Sequence, residues 1–237
     1  PQLVAGPIER SKNLLKQIKE CPQIEREKIY SGFFQMLWGY FQKVIIADRI
    51  AVIVSKIYDN YMEYPGVYIL AATILFAFQV YCDFGGYSNI AIGAARILGF
   101  ELMENFNAPY RATSVADFWS RWHISLSQWL RDYVYIPLGG NRLGKKRKCI
   151  NLLCTFLISG IWHGANWTYV VWGVLHGIYR VVEEVIQDKI SGALKKFPQL
   201  FLQLATFAFV DFAWLFFRAN SLSDAVNMIG RMFMEFQ

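Results

Sequence analysis

The chain has 237 residues and a formal net charge of +6, and 55% of its residues are hydrophobic while only 18% are charged. Globular domains usually carry about 25% charged residues, so this composition argues against a soluble protein. A sphere of this size has too little interior to hide so much apolar surface, and part of that surface should face lipid. The composition predicts a membrane protein.

The predicted elements begin with a polar stretch. Residues 9–28 carry Leu14, Leu15 and Ile18 at helical spacing, which predicts an amphipathic helix at the membrane interface. Residues 29–47 are expected to form a first membrane segment, which residues 50–57 could continue. The clearest span is 64–82, which contains no charged residue and is nearly long enough to cross a hydrocarbon core of roughly 30 Å. Residues 83–88 then suggest a tight polar turn, and the glycines of 84–100 predict close helix packing.

The second half of the chain alternates irregular and apolar segments. Residues 101–140 favour an interfacial or partly re-entrant helix, with Phe118, Trp122, Ser125 and Trp129 on one face. Residues 149–179 contain no Asp, Glu, Lys or Arg, and a single helix of that length would reach about 46 Å, more than a bilayer core needs. The sequence from His163 to Asn166 predicts a break there. A final span is expected at 197–217, so the fold class is all-α and multi-spanning.

Basic residues and cysteines bound the location and the partners. The cluster at 142–148 lies between apolar runs without an aromatic stacking platform, so it predicts a cytoplasmic loop and no nucleic-acid partner. Cys21, Cys82, Cys149 and Cys154 form no C-x-x-C pair and are expected to be packing residues, although palmitoylation of the last two stays open. With no starting Met and no signal-peptide pattern, residues 1–237 are interpreted as one membrane-embedded core from a longer protein.

Three histidines, His123, His163 and His176, lie in apolar or aromatic surroundings. Imidazole suits general-base chemistry near neutral pH, and a polar group inside a membrane protein usually faces a cavity or a partner. A lone histidine in a helical bundle is more often structural. His163 is the stronger candidate because it lies at a predicted helix break. Non-helical backbone inside a membrane is tolerated only where protein or a water-filled cavity surrounds it.

Other chemistries have weaker support. The histidines have neither nearby carboxylates nor i, i+4 pairing, so no metal site is expected. There is no G-x-S-x-G elbow, and residues 83–88 lack the Lys and the spacing of a P-loop. The rival from another class is a transporter or channel scaffold whose histidines, together with Asp211, line a permeation path.

An ordered set of motifs resembles the membrane-bound O-acyltransferase family, and it extends through almost the whole chain. The motifs are PQLVAGPI (1–8), YCDFGGYS (81–88), ENFNAPY (104–110), FWSRWHISLS (118–127), WLRDY (129–133), IPLGGNR (136–142), WHGA (162–165) and WLFFRA (214–219). The likeness is greatest to the branch that acetylates polysaccharides such as alginate. Residues 138–142 favour that branch over the D-alanyl transferases of teichoic acid synthesis, which stay the alternative within the family.

The resemblance implies a helical membrane protein hollowed around an acyl-transfer site, with the family's first helices missing from this chain. It implies that His163 is the base or a transient acyl acceptor, and that His123 orients the acyl group or stabilises the oxyanion together with Trp N–H groups. The residues expected to contact substrate are Trp119, Trp162, Asn166, His176 and Asn107.

The resemblance also implies the substrates and the partners. We expect acetyl-CoA as the cytoplasmic donor, no bound cofactor, and an exported polysaccharide as the acceptor. The chain shows no large soluble domain to hold a polymer, so either the acceptor reaches the site from the membrane surface or another protein carries the acetyl group away. The resemblance favours the second route, with an extracytoplasmic SGNH-type acetyltransferase as the partner. The expected location is the bacterial cytoplasmic (inner) membrane, as a multi-pass protein.

Overall fold

The computed structural model describes residues 6–20, 22–194 and 197–237, and it describes residues 187–194 by their backbone alone. Residues 1–5, which begin the first motif, and Cys21 lie outside the described residues. Within the described ranges every regular element is helical, as the all-α prediction requires. The ten α-helices described are α1 (Ser11–Glu20), α2 (Arg26–Tyr40), α3 (Asp48–Asp59), α4 (Gly66–Ile97), α5 (Val115–Arg121), α6 (Ile124–Leu130), α7 (Gly144–His163), α8 (Trp167–Leu194), α9 (Gln199–Arg218) and α10 (Leu222–Met234).

The first part of the chain differs from its prediction in where the helices end. The single amphipathic helix expected over 9–28 is wrong in extent, because α1 ends at Glu20 and α2 begins only at Arg26. Pro22 lies between them, and a proline cannot supply the N–H that a continuous helix needs. After α2, a π-helical turn (Phe41–Ala47) joins directly to α3, so the predicted first membrane segment and its extension form one helical rod.

Helix α4 runs unbroken from Gly66 to Ile97, so the polar turn predicted at 83–88 is wrong. Two features let the helix continue there. The Asp83 carboxylate forms an ion pair with Lys43 of the π-helical turn. In addition, Gly86 packs so closely on Gly39 that a Cβ atom on Gly39 would lie 2.6 Å from the Gly86 carbonyl oxygen. A second pair, Gly32 with Gly93, repeats this contact two turns away, so small residues do pack the rod against α4 in antiparallel fashion.

The irregular segment at 101–140 contains two short α-helices in place of one helix, with a 3₁₀ turn before them and a π-helical turn after them. Ser114 caps α5 by accepting a hydrogen bond from the Asp117 N–H, and the helix ends before Trp122 and His123. His123 adopts left-handed backbone angles (φ 42°, ψ 55°), after which α6 begins in a new direction. The predicted common face therefore does not exist as one helical stripe, although Phe118, Trp122 and Ser125 are all buried.

Helices α7 and α8 form an antiparallel pair with the break where it was predicted, between His163 and Trp167. The two helices cross at Gly160 and Gly173, where an added Cβ atom would meet the main chain of the other helix. Helix α9 confirms the final predicted helix. Helix α10 was not predicted, and the two residues after it, Glu235 and Phe236, accept hydrogen bonds from the N–H groups of Gly66 and Val67 at the start of α4.

The helices define two ends of the bundle. The basic end contains α1, the loop at 101–103, and the cluster at 142–148; Arg10 pairs with Asp132, and Gln17 hydrogen-bonds to the main chain of Glu101. The opposite end contains the C-terminus of α3, the α7–α8 break and the C-terminus of α9. Among the described residues, α4 and α9 are the two helices long and apolar enough to cross a membrane by length and composition.

Candidate active site

His163 is the last residue of α7, and aromatic rings surround it. The centroid of its imidazole lies 5.0 Å from that of Trp162, 5.1 Å from Trp172 on α8, and 5.2 Å from Phe217 on α9. The described residues offer this imidazole no hydrogen bond. The chain can stop helix α7 here because Gly164 adopts φ 155°, and Asn166 then caps α8 by accepting a hydrogen bond from the Thr168 N–H.

His123 lies at the other break, between α5 and α6, and is only 5% exposed. Left-handed backbone angles are uncommon for residues other than glycine, and such strain persists only where surrounding contacts hold it. Two main-chain hydrogen bonds hold this junction, from Ile124 N–H to the Asn105 carbonyl and from Asn107 N–H to the Arg121 carbonyl. The ring itself packs edge-on against Phe84 of α4, with centroids 4.6 Å apart.

A polar cluster lies beneath the His123 ring. Asn105 Oδ1 is 3.3 Å from His123 Nδ1 and accepts hydrogen bonds from the Ser125 hydroxyl (2.6 Å) and the Ser125 N–H (3.3 Å). Asn105 Nδ2 donates to the Ser88 hydroxyl on α4. Asn105 is 1% exposed, so these bonds satisfy a side chain that water cannot reach.

His123 and His163 line the same cavity, which has a volume of about 1020 Å³. Trp162 lies between them, because its ring centroid is 6.5 Å from that of His123 and 5.0 Å from that of His163. Glu9 and Leu14 line the cavity near the basic end, whereas His163 and Phe217 line it near the opposite end. Residues from both ends of the bundle therefore line the cavity, and the Lys43–Asp83 ion pair forms part of its wall.

His176 and Trp119 form a separate pair outside this cavity. His176 is fully buried on α8, where its Nδ1 accepts a hydrogen bond from Trp119 Nε1 at 3.3 Å. Its Nε2 has no hydrogen-bond partner among the described residues. Trp119 lines a smaller cavity of about 270 Å³ with Arg131 and Arg180. Neither Trp119 nor His176 lines the larger cavity.

The two asparagines proposed as substrate contacts differ in their hydrogen bonds, because Asn166 bonds through its side chain and Asn107 through its main chain. Asn166 caps α8 and donates from Nδ2 to the carbonyl of Asn220 at the opposite end of the bundle. Asn107 is exposed, and its carbonyl accepts from the Arg121 guanidinium. Neither residue lines the cavity shared by His123 and His163, and their substrate-binding roles stay predictions.

Asn105 and Trp172 are two residues of this site that sequence reasoning missed. Asn105 belongs to a motif that was recognised, but nothing in the sequence distinguishes it from Asn107 two positions later. Trp172 lines the cavity beside His163, and its buried Nε1 has no hydrogen-bond partner among the described residues. The period of α8 offers a signal for Trp172, since it lies four residues before His176 on the same helical face.

Asp211 is buried on α9, and its Oδ1 has no hydrogen-bond partner within the described residues. Asp211 does not line the cavity that holds the two histidines. The nearby Arg218 contacts Ser55 and Asp59.

Comparison with known proteins agrees with the motifs. The sequence model of one protein family, MBOAT (the membrane-bound O-acyltransferase family), matches residues 1–223. A peptidoglycan O-acetyltransferase of Helicobacter pylori is 40% identical over 238 residues, covering 98% of this chain and 44% of that protein. A probable alginate O-acetylase of Pseudomonas putida is 41% identical over 236 residues, covering 98% of this chain and 47% of that protein.

A more distant relative is a teichoic acid D-alanyltransferase of Bacillus subtilis, 29% identical over 196 residues, covering 75% of this chain and 47% of that protein. The chain thus spans a little under half the length of these curated relatives. The match to the family model covers nearly the whole sequence, and the chain belongs to the membrane-bound O-acyltransferase family.

Proposed function

We propose that the chain is the catalytic centre of a membrane O-acetyltransferase that moves an acetyl group from cytoplasmic acetyl-CoA toward hydroxyls of an exported polysaccharide. The observation that carries this proposal is the placement of His123 and His163 on one cavity, although 40 positions separate them in the sequence. Both histidines come from helix breaks, and the cavity is lined by residues of the basic end and of the opposite end. Such a cavity suits a donor and an acceptor that arrive from different sides of a membrane.

The proposed chemistry needs one general base and a thioester carbonyl that is shielded from water. A hydroxyl of the acceptor attacks the carbonyl carbon of the acetyl thioester, and His163 takes the hydroxyl proton. The tetrahedral intermediate then breaks its C–S bond, and His163 returns the proton to the departing thiolate. The products are an acetyl ester and a free thiol. A transient acyl-histidine is the variant in which His163 attacks first.

The aromatic lining supports this chemistry by excluding water from the reacting carbonyl. Trp162, Trp172 and Phe217 contact the His163 ring. A low-polarity surrounding strengthens every hydrogen bond to the developing oxyanion and limits wasteful hydrolysis of the thioester.

The relatives favour acetyl over D-alanyl transfer. Those named for O-acetylation of alginate or peptidoglycan are about 40% identical to this chain, whereas the teichoic acid D-alanyltransferases are 26–29% identical. We infer that the acceptor is an exported polysaccharide and that the protein lies in the bacterial cytoplasmic membrane.

The activity is tested in membranes that contain the full-length protein and labelled acetyl-CoA. We expect acetyl transfer to be lost in His163→Ala and retained in Asp211→Asn, at matched protein levels. Transfer retained in His163→Ala would reject His163 as the reacting residue, whereas an absence of transfer in wild-type membranes would favour a permeation path lined by Asp211.

The orientation follows from the charge at the basic end, which should be cytoplasmic by the positive-inside rule. Leu143 and Met62 are 63% and 64% exposed at opposite ends of the bundle, which makes them a matched pair for cysteine labelling. After replacement of the native cysteines, an impermeant reagent applied to intact cells should label Met62→Cys but not Leu143→Cys. Labelling of Leu143→Cys from outside would reverse the orientation.

We also propose that an extracytoplasmic SGNH-type acetyltransferase completes the transfer to polymer. Liposomes that hold the full-length protein, with acetyl-CoA inside and polymer outside, test this relay. Polymer acetylation should require the added partner. Efficient acetylation without the partner would refute the relay while leaving the acetyl-CoA chemistry intact.

A further inference from the structure

Asn105 connects three elements in the wall of the cavity. Its main-chain carbonyl accepts from Ile124 N–H at the start of α6, and its side-chain Nδ2 donates to Ser88 on α4. Its Oδ1 faces both Ser125 and the His123 ring. A buried side chain with this many partners has one permitted orientation, because each of its polar atoms needs a partner of the right kind.

Ser125 fixes which atom of the Asn105 amide faces His123. The Ser125 main-chain N–H can only donate, and it lies 3.3 Å from Asn105 Oδ1. An amide rotated by half a turn would place its NH₂ group against that N–H, and two donors would then face each other. The oxygen of Asn105 must therefore point toward Ser125 and His123.

The orientation of Asn105 in turn fixes the tautomer of His123. Its Nδ1 faces an oxygen that cannot donate, so the contact is a hydrogen bond only when Nδ1 carries the proton. The Ser125 hydroxyl lies 3.5 Å from Nδ1, but its closer contact with Asn105 Oδ1, at 2.6 Å, uses the hydroxyl proton. We infer that Asn105 is a positioning residue that holds His123 as the Nδ1–H tautomer and so presents an unprotonated Nε2 to the cavity.

This inference rests on the proposed function and deepens it. A neutral His123 with a free Nε2 accepts a hydrogen bond in the cavity and does not donate one. It therefore orients the acceptor molecule through a hydroxyl next to the reacting one, whose own proton goes to His163, and the donors to the oxyanion are other groups. When the imidazole takes a proton, Nδ1–H still donates to Asn105, so the same contact serves both protonation states. A neutral amide provides that contact without adding a charge to an apolar wall.

The tautomer is measured by solid-state nitrogen NMR of the full-length protein in liposomes with isotope-labelled histidine. The His123 signals are those that disappear in His123→Gln. We expect Nδ1 to be the protonated nitrogen in the wild type, and both tautomers to be populated in Asn105→Ala. A wild-type spectrum with the proton on Nε2 would overturn the inference, even if Asn105→Ala failed to accumulate. This measurement needs no turnover, so it stands apart from any failure of the proposed activity.

Kinetics separate positioning from a merely structural role. Loss of a group that orients a reacting imidazole should lower kcat by about 10–100-fold, with KM for acetyl-CoA unchanged. Asn105→Asp keeps an oxygen toward Nδ1 and should recover most of kcat. The control is Asn227→Ala, an exposed asparagine that contacts Tyr61 at the opposite end, and it should match the wild type. Equal losses of kcat in Asn105→Ala and Asn105→Asp would contradict the inference.

Discussion

The two helix breaks that bring histidines into the cavity are built in different ways. The break at His123 is polar and fixed, because Asn105 and Ser125 hold the ring and the main chain together. The break at His163 is apolar, since aromatic rings surround an imidazole that receives no hydrogen bond from the described residues. The contacts of His123 fix its ring before substrate binds, whereas the His163 imidazole is available to form hydrogen bonds with substrate. This division suits a site in which one group orients and another group reacts.

The largest effect should follow removal of the free histidine. His163→Ala is expected to lower turnover by ~10²–10⁴-fold, the usual cost of losing a general base. The double variant His163→Ala/His123→Ala should be no worse than His163→Ala alone, because residues that act as a unit do not contribute additively. Initial rates with labelled acetyl-CoA at matched protein levels provide the measurement. A further large loss in the double variant would mean that the two histidines act in separate steps.

Removing the fixed histidine should cost less. His123→Ala is expected to reduce kcat by about 10²-fold, since orientation of the acceptor is lost while the proposed base at His163 remains. The same assay gives kcat and KM separately. If His123→Ala were as inactive as His163→Ala, the assignment of orientation to one and proton transfer to the other would be wrong.

The apolar break depends on how closely α7 and α8 approach. Gly173→Leu would place a side chain against the Phe156 carbonyl and push the helices apart. Overpacking of this kind typically costs about 1–3 kcal/mol, so we expect a lower melting temperature in detergent together with reduced activity. Gly230→Leu on α10 is the matched control, because no atom lies within 4 Å of the added Cβ. Equal destabilisation by both changes would show that the crossing is not specially tight.

The smallest decrease in kcat should come from Ser125→Ala, which lies at the polar break beside His123. Ser125→Ala removes the hydroxyl bond to Asn105 but leaves the Ser125 N–H and His123 Nδ1 contacts in place. The loss of one such bond is worth about 0.5–1.5 kcal/mol, which predicts a decrease in kcat of roughly 2–10-fold. A decrease as large as that of His123→Ala would mean that the hydroxyl itself contacts substrate.

The two breaks also show what a sequence can reveal. The His163 break could be predicted because a charge-free run too long for one membrane helix contains Gly164 and Asn166 near its middle. The His123 break could not, because FWSRWHISLS has the spacing of an ordinary aromatic helix and its interruption depends on contacts with Asn105, 18 positions away. The spacing of residues within one segment does not reveal contacts with residues that are distant in the sequence.

The same limit explains the error at Asp83. A charge followed by two glycines suggests a turn, but Lys43 of the preceding rod neutralises that charge and Gly39 fits against Gly86. Glycines in this position serve a close approach between helices rather than a bend. The pairing partner lies 40 positions earlier, and only the antiparallel packing of the rod on α4 brings it near.

The half-exposed ion pair at the middle of α4 has an electrical consequence. Lys43 and Asp83 keep 42% and 47% of their side chains accessible, and charges at such a depth are stable only where water reaches them. Where water fills the cavity, it conducts ions, and the membrane potential falls across the remaining dry layer, at about 2.3 kcal/mol per charge per 100 mV. The rings of Trp172, Trp214 and Phe217 pack against one another where they line the cavity near His163. We therefore expect these rings to insulate the His163 end of the cavity, and variants that loosen them to let protons leak across the membrane.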